Sequence, residues 1–277
     1  MSGQSTPSLR ATEVALAPRF FMPGSPMFLP GLVTLLLFAA MLVNGPVAQL
    51  VDYHRFADQR FTLGLPHALD VLSNLGFLLV GGYGMMRLKQ SRKVLAMDPS
   101  RAGYRLFFLA LMLTAVGSGW YHLAPDNARL VWDRLPIALA CAGLLAAVCR
   151  DTCGGPRALP LVFAALASAS VAWWRYTDLQ GADDLGPYLL VQILPLVLIP
   201  LMQWQVDAPA PQRRAYGIAL GLYLLAKVCE VADHALFDAL LMVSGHTLKH
   251  LLAAAAAMVI TVDFSRQLAA AKRLEPA

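Results

Sequence analysis

The stretch Leu106-Phe-Phe-Leu-Ala-Leu-Met-Leu-Thr-Ala-Val-Gly-Ser118-Gly-Trp-Tyr-His122 decides how this chain is read. It belongs to an apolar run over about 104–124, long enough to cross the ~30 Å hydrocarbon core of a bilayer. The run closes on a hydroxyl and an imidazole. Ser118 and His122 stand four residues apart, so a helix puts them on one face. Asp133 follows eleven residues after the histidine, near the start of the next apolar run. Far downstream, His246 and His250 repeat the four-residue spacing where the last apolar run begins.

Working outward, apolar runs recur along the chain at about 29–50, 67–86, 104–124, 130–149, 157–175, 186–204, 215–233 and 243–264. Apolar residues make up 58% of the sequence and charged ones 14%, against roughly 25% charged in ordinary globular chains. An ordinary soluble protein is thereby excluded. The expected fold is an all-α, polytopic transmembrane helical bundle. Residues 1–28 are a polar N-terminus without clear order. Residues 29–50 read as an additional N-terminal helix, an uncleaved signal anchor more than a signal peptide ending near Ala48. Residues 51–265 form the main helical domain and 266–277 a tail. Prolines 136, 160, 195 and 200 lie within or near the ends of these spans, where membrane helices tolerate them.

The net charge of +5 does not point to nucleic acid, for which no motif is present. Basic residues instead fall in alternate loops. With eight helices and both termini inside, fifteen of the twenty-two Lys and Arg are cytoplasmic, as the positive-inside rule requires. The stretch from Arg87 to Lys93 sets orientation and can touch anionic lipid. Cys141 and Cys229 sit in apolar runs, while Cys149 and Cys153 flank an inward loop, so no disulfide framework is expected. This topology, drawn from Lys and Arg alone, carries all six histidines to outward loops or outward helix ends. Ser118, His122, Asp133, His246 and His250 thus reach one depth of the bilayer.

Ionisable residues in membrane spans are costly and mark function. A lone histidine there is more often a hydrogen-bonded structural residue, but three at one depth, two sharing a helix face, favour a metal. Imidazole suits zinc, and three protein ligands with an open position are the arrangement of catalytic zinc. Asp133 is then a candidate general base, or else the partner of Arg134 or a helix cap. Ser118 can stabilise an oxyanion, or it is a small packing residue between Gly117 and Gly119. Ser73 and Asn74 are read as helix-packing residues before second-sphere partners. Asp233, in a polar cluster with Glu230 and His234, either orients a histidine or caps a solvated helix end. Trp120, Trp132, Trp173 and Trp174 read as interfacial anchors. Gly81-Gly82-Tyr83-Gly84 is no phosphate loop, because no strand precedes it.

Together these residues resemble a family. Ser118-x-x-x-His122, Asp133 and His246-x-x-x-His250, with Ser73-Asn74 and Trp132-Asp133-Arg134-Leu135-Pro136, are similar to the alkaline ceramidases. That family belongs to the seven-helix membrane hydrolases that include the adiponectin receptors. The likeness covers roughly residues 52–264 and leaves the first helix as an addition to a seven-helix core. It implies a zinc-dependent amidase that cleaves a ceramide-like lipid amide into a sphingoid base, or another lipid amine, and a fatty acid. It implies His122, His246 and His250 as zinc ligands, Asp133 activating water and Ser118 stabilising the oxyanion. Calcium (Ca2+) is bound near the active site in the family. Asp52 falls at a suitable place, but Arg55, Ala57 and Pro66 stand where further oxygen ligands are needed, which disfavours it. The short loops look bacterial, so the implied location is an inner membrane with the site facing the periplasm. A receptor or scaffold of the same superfamily with structural zinc is the alternative. Head group, acyl length and oligomeric state are not written in the sequence.

Overall fold

Every apolar run read from the sequence is helical in the computed structural model, which describes residues 25–91 and 100–273. The expectations for residues 1–24, 92–99 and 274–277 lie outside the described residues. Helix α1 spans Phe28–Asn44, and a short hairpin of β1 (Phe61–Thr62) and β2 (Leu65–Pro66) follows. The remaining helices are α2 (Ala68–Leu72), α3 (Leu75–Gln90), α4 (Arg101–Leu123), α5 (Asn127–Thr152), α6 (Leu159–Leu179), α7 (Gly186–Gln205), α8 (Ala210–Val231), α9 (Asp233–Leu240) and α10 (Gly245–Arg273). The protein is an all-α bundle.

Among the described residues, five helical segments are long and apolar enough to cross a membrane, with α2 and α3 counted together as Ala68–Gln90, and six if the bent α8–α9 pair is one span. The chain is in this sense an integral multi-pass protein. Helix α6 falls just outside that group because Trp173, Trp174, Arg175 and Asp178 fill its last turns. Helix α1, at 17 residues, is short for a full crossing. Large apolar side chains such as Val116, Leu161 and Val228 are more than half exposed on the bundle's outside, as lipid-facing residues are.

Three local departures from the sequence reading shape the site. The run at 67–86 divides at Ser73–Asn74 into α2 and α3. The run at 215–233 turns by 82° into α9, which reorients Asp233. Trp174, expected at an interface, is fully buried. Trp120, Trp132 and Trp173 are about half exposed.

Helix α5 is central, touching α4, α6 and α7. Two-thirds of its apolar window (67%) is buried, more than in any other span. Helix α4 lies against it closely because position 117 is glycine: a Cβ there would stand 1.9 Å from the carbonyl oxygen of Trp132. That approach sets Ser118 beside Asp133. Away from His122, the core is aromatic and aliphatic. Phe108 is fully buried, and the rings of Tyr104 and Phe264 stand 4.4 Å apart. Tyr104 and Tyr216 share a hydroxyl–hydroxyl hydrogen bond of 3.0 Å.

Candidate metal centre

The last turn of α4 brings His122 into the bundle, and the first two turns of α10 bring His246 and His250. All three imidazoles are buried, and one ring nitrogen of each lies within 4.8 Å of the others. The Nε2 atoms of His122 and His246 are 3.2 Å apart. Two ligands at the usual zinc–nitrogen distance in a tetrahedral site stand about 3.3 Å apart. Two neutral imidazoles at that separation with no ion between them need one to donate, whereas a shared cation accepts both lone pairs.

The third ring is fixed from behind. Ser73 donates its hydroxyl to the carbonyl of Asp70 at 3.1 Å, and its oxygen faces Nδ1 of His250 at 2.9 Å. Asn74 Nδ2 lies 3.4 Å from the same nitrogen; in the tautomer with the proton on Nδ1, His250 donates to Ser73 and Nε2 keeps its lone pair for the centre. A metal-bound histidine ordinarily has such a partner on its other nitrogen. Ser73 is therefore a positioning residue, not only a packing one. The break between α2 and α3 is what turns it inward.

Helix α10 is held in place by two buried carboxylates. Asp233 accepts the backbone N–H of His246 at 2.8 Å and that of Ala57 at 2.9 Å. It is 7% exposed, so the solvated helix end is not what forms. Asp70 accepts from the hydroxyls of Ser244 (2.9 Å) and Thr247 (2.6 Å). Gly245 admits this packing, since a Cβ there would lie 2.2 Å from the carbonyl of Cys229.

Above the imidazoles sits Phe56, from the segment between α1 and the hairpin. Its ring centre is 4.6 Å from that of His122 and 4.5 Å from that of His246. The segment is clamped by Asp58 and Arg60. Arg60 donates to both Asp58 oxygens at 2.7 and 2.8 Å and to the carbonyls of Leu241 and Met242. The hydrogen-bonded Arg60 guanidinium holds the Asp58 carboxyl below its ordinary value. Asp126, before α5, is likewise held low by the backbone N–H of Arg129 that it caps.

A cavity of about 600 Å³ opens beside the centre. Ser118, Asp133, His246 and His250 line one part of it, and Leu111, Ile199 and Ile260 line its apolar length. Ser118 and Asp133 are both buried. Ser118 lies beside the Asp133 carboxyl, and its hydroxyl has no other hydrogen-bond partner among the described residues. Lys227 and Lys249 both reach Glu230, at 2.8 and 2.6 Å.

The structure thus brings together all five residues singled out from the sequence. Asp52 is not among the buried groups at the centre: it pairs with Arg55 at the exposed edge of the same cavity. Asp133 does not pair with Arg134, whose guanidinium lies 4.0 Å from the Trp174 ring centre. Sequence reasoning missed Phe56, which carried no signal, and Lys249, whose partner is nineteen residues away. Asp70 did carry one, as a lone carboxylate in an apolar run. No protein-family model matches this sequence, and no curated protein does.

Proposed function

We propose that this protein is a zinc-dependent membrane amidase that hydrolyses the amide bond of a ceramide-like lipid. The observation that carries the reading is the placement of Ser118, Asp133 and two histidines of the triad on the wall of one apolar cavity. Three neutral nitrogen donors fit zinc, with His122, His246 and His250 as its ligands. Bound there, the ion would acidify a water and polarise a carbonyl.

The chain's own groups supply the rest. Ser73 keeps the His250 lone pair directed at the centre. Phe56 covers two imidazoles and excludes bulk water. Asp133, as general base, takes the proton from the attacking water and returns it to the leaving amine. Ser118, whose hydroxyl has no other partner, donates to the oxygen that gains charge on the scissile carbonyl. The acyl chain lies along Leu111, Ile199 and Ile260. Helices α7 and α8 touch only sparsely, so a lipid enters between them from the bilayer. In the orientation favoured by Lys and Arg, this chemistry faces the periplasmic side of a bacterial inner membrane.

The test is metal analysis of purified protein together with fatty-acid release from N-acyl lipids. About one zinc per chain and stoichiometric fatty acid are expected. Asp133→Asn should retain the metal and lose roughly 10²–10⁴-fold in kcat. Lipid binding with no release by the metal-loaded protein points instead to a receptor.

A further inference from the structure

Arg134 is 2% exposed, sits beside the candidate base in the chain, and plays no part in the chemistry above. Its guanidinium is enclosed by aromatic rings, with centres at 4.0 Å (Trp174), 5.0 Å (Tyr53) and 5.4 Å (Tyr188). Cation–π contact offsets part of the loss of hydration, but rings offer no acceptor in the guanidinium plane. Nε and Nη1 have no hydrogen-bond partner among the described residues, Asp133 included. Trp174 Nε1 on the same cage is a third buried N–H without an acceptor. Buried donors are nearly always satisfied, and arginine cannot shed its proton to escape the deficit.

The contrast with Lys227 and Lys249 is informative. Those two cations also line the cavity, but both are bound by Glu230. Arg134 lines the same cavity with its donors unmatched. A planar, delocalised fork with free N–H groups matches a carboxylate in two-point geometry. Tyr53 and Tyr188 also line the cavity, so a ligand lying in it passes along this cage.

We propose that Arg134 binds a carboxylate of the lipid occupying the cavity, and that the preferred lipid is anionic. This rests on the cavity being a lipid site, as proposed above. The carboxylate has two sources: a head group on the amine side of the amide, as in an N-acyl amino acid, or the acyl end of a fatty acid.

Full-length purified protein in detergent is titrated with N-oleoylglycine, oleic acid and the neutral N-oleoylethanolamine. Binding is read by tryptophan fluorescence and fatty-acid release is followed separately. At least one carboxylate ligand should bind tenfold or more tightly than N-oleoylethanolamine, and Arg134→Gln should abolish that preference. Preference for N-oleoylglycine alone assigns the head group, and an equal gain for oleic acid assigns the acyl end. Arg134→Lys keeps a cation, loses the two-point fork and should reduce the preference severalfold, which preserves the test if Arg134→Gln does not fold. Equal binding of charged and neutral lipids overturns the proposal, as does a preference unchanged in a folded variant. Hydrolysis without charge preference removes this proposal and leaves the amidase standing. Charge preference without hydrolysis does the reverse.

Discussion

The two ends of the bundle bury different things. Around Phe108, Tyr104 and Phe264 the helices meet mainly through aromatic rings and alanines, with a tyrosine pair between helices and Thr261, Asp263 and Ser265 buried on α10. Around His122 they bury three imidazoles, Asp70, Asp133, Asp233 and several hydroxyls at the same low exposure. In lipid, where apolar burial drives association only weakly, tight packing holds the first end. At the second, each polar group is costly unless matched. Most are matched: Asp70 to two hydroxyls, Asp233 to two backbone N–H groups, His250 to Ser73. Left without a partner there are Ser118 Oγ, one oxygen each of Asp70 and Asn74, and His122 Nδ1 on the far side of its ring from the centre. Stability and chemistry are therefore assigned to opposite ends and should be separable by mutation.

The sharpest way to break that contrast is His246→Ala. Two ligands do not hold zinc as three do, so metal content and fatty-acid release should both fall to background. His246 is not a member of the apolar cluster around Phe108, so the variant should still fold in detergent. Full turnover with retained zinc would defeat the metal assignment. Loss of folding instead would join the two ends energetically.

The converse test is Phe108→Ala. This side chain is fully buried, and its ring occupies the space a Cβ at Gly84 would need, at 2.3 Å. Truncation of such a ring costs about 3–5 kcal/mol in a water-soluble core. With lipid as the alternative environment the transfer part shrinks, leaving a loss on the order of 2–3 kcal/mol from cavity and packing. Thermal unfolding in detergent should show a clear drop in midpoint, with zinc content per folded chain unchanged. Metal loss at full stability would contradict the separation.

Ser73→Ala sharpens the comparison within the polar end. It leaves all three ligands but removes the acceptor that fixes the His250 tautomer. Loss of such a partner typically costs 10–100-fold in metal affinity. Competition with a chelator reads this directly, and Ser73→Thr should recover most of it. Unchanged affinity would return Ser73 to simple packing.

These effects also mark how far the sequence could be read. The all-α bundle was legible because a bilayer imposes a length on every span, and each of the eight runs became helix. The five central residues were legible because charge placement in the loops fixes depth, and i, i+4 spacing fixes a face. Depth and face do not specify which neighbour a side chain meets. Ser73 facing His250, Asp233 facing the N–H of His246, and Lys249 reaching Glu230 depend on a helix break, an 82° bend and a nineteen-residue separation. Trp174 was misplaced for the same reason: its face turns inward beneath Arg134.

The smallest effect concerns the segment that carries Phe56 over the imidazoles. Asp58 is buried within it and bound at two points by the half-exposed Arg60. The hydrogen bonds from Arg60 outweigh burial and hold the Asp58 carboxyl below its ordinary value. A carboxyl lowered in the fold stabilises the folded state fully above its unfolded value, about 4. That contribution is lost as pH falls through the lower folded value. Arg60 stays charged throughout. Acidification from pH 7 to about 3 should therefore loosen this segment and speed amide exchange around Phe56. Other carboxyls titrate in the same window, so the reading is the difference between wild type and Asp58→Asn. At pH 7 the variant should already exchange faster around Phe56, and the gap should narrow as the pH falls below the unfolded value of about 4 toward the lower folded one. A gap of constant size would mean that the clamp works through shape and not charge, and the cover over the metal end would then be insensitive to acid.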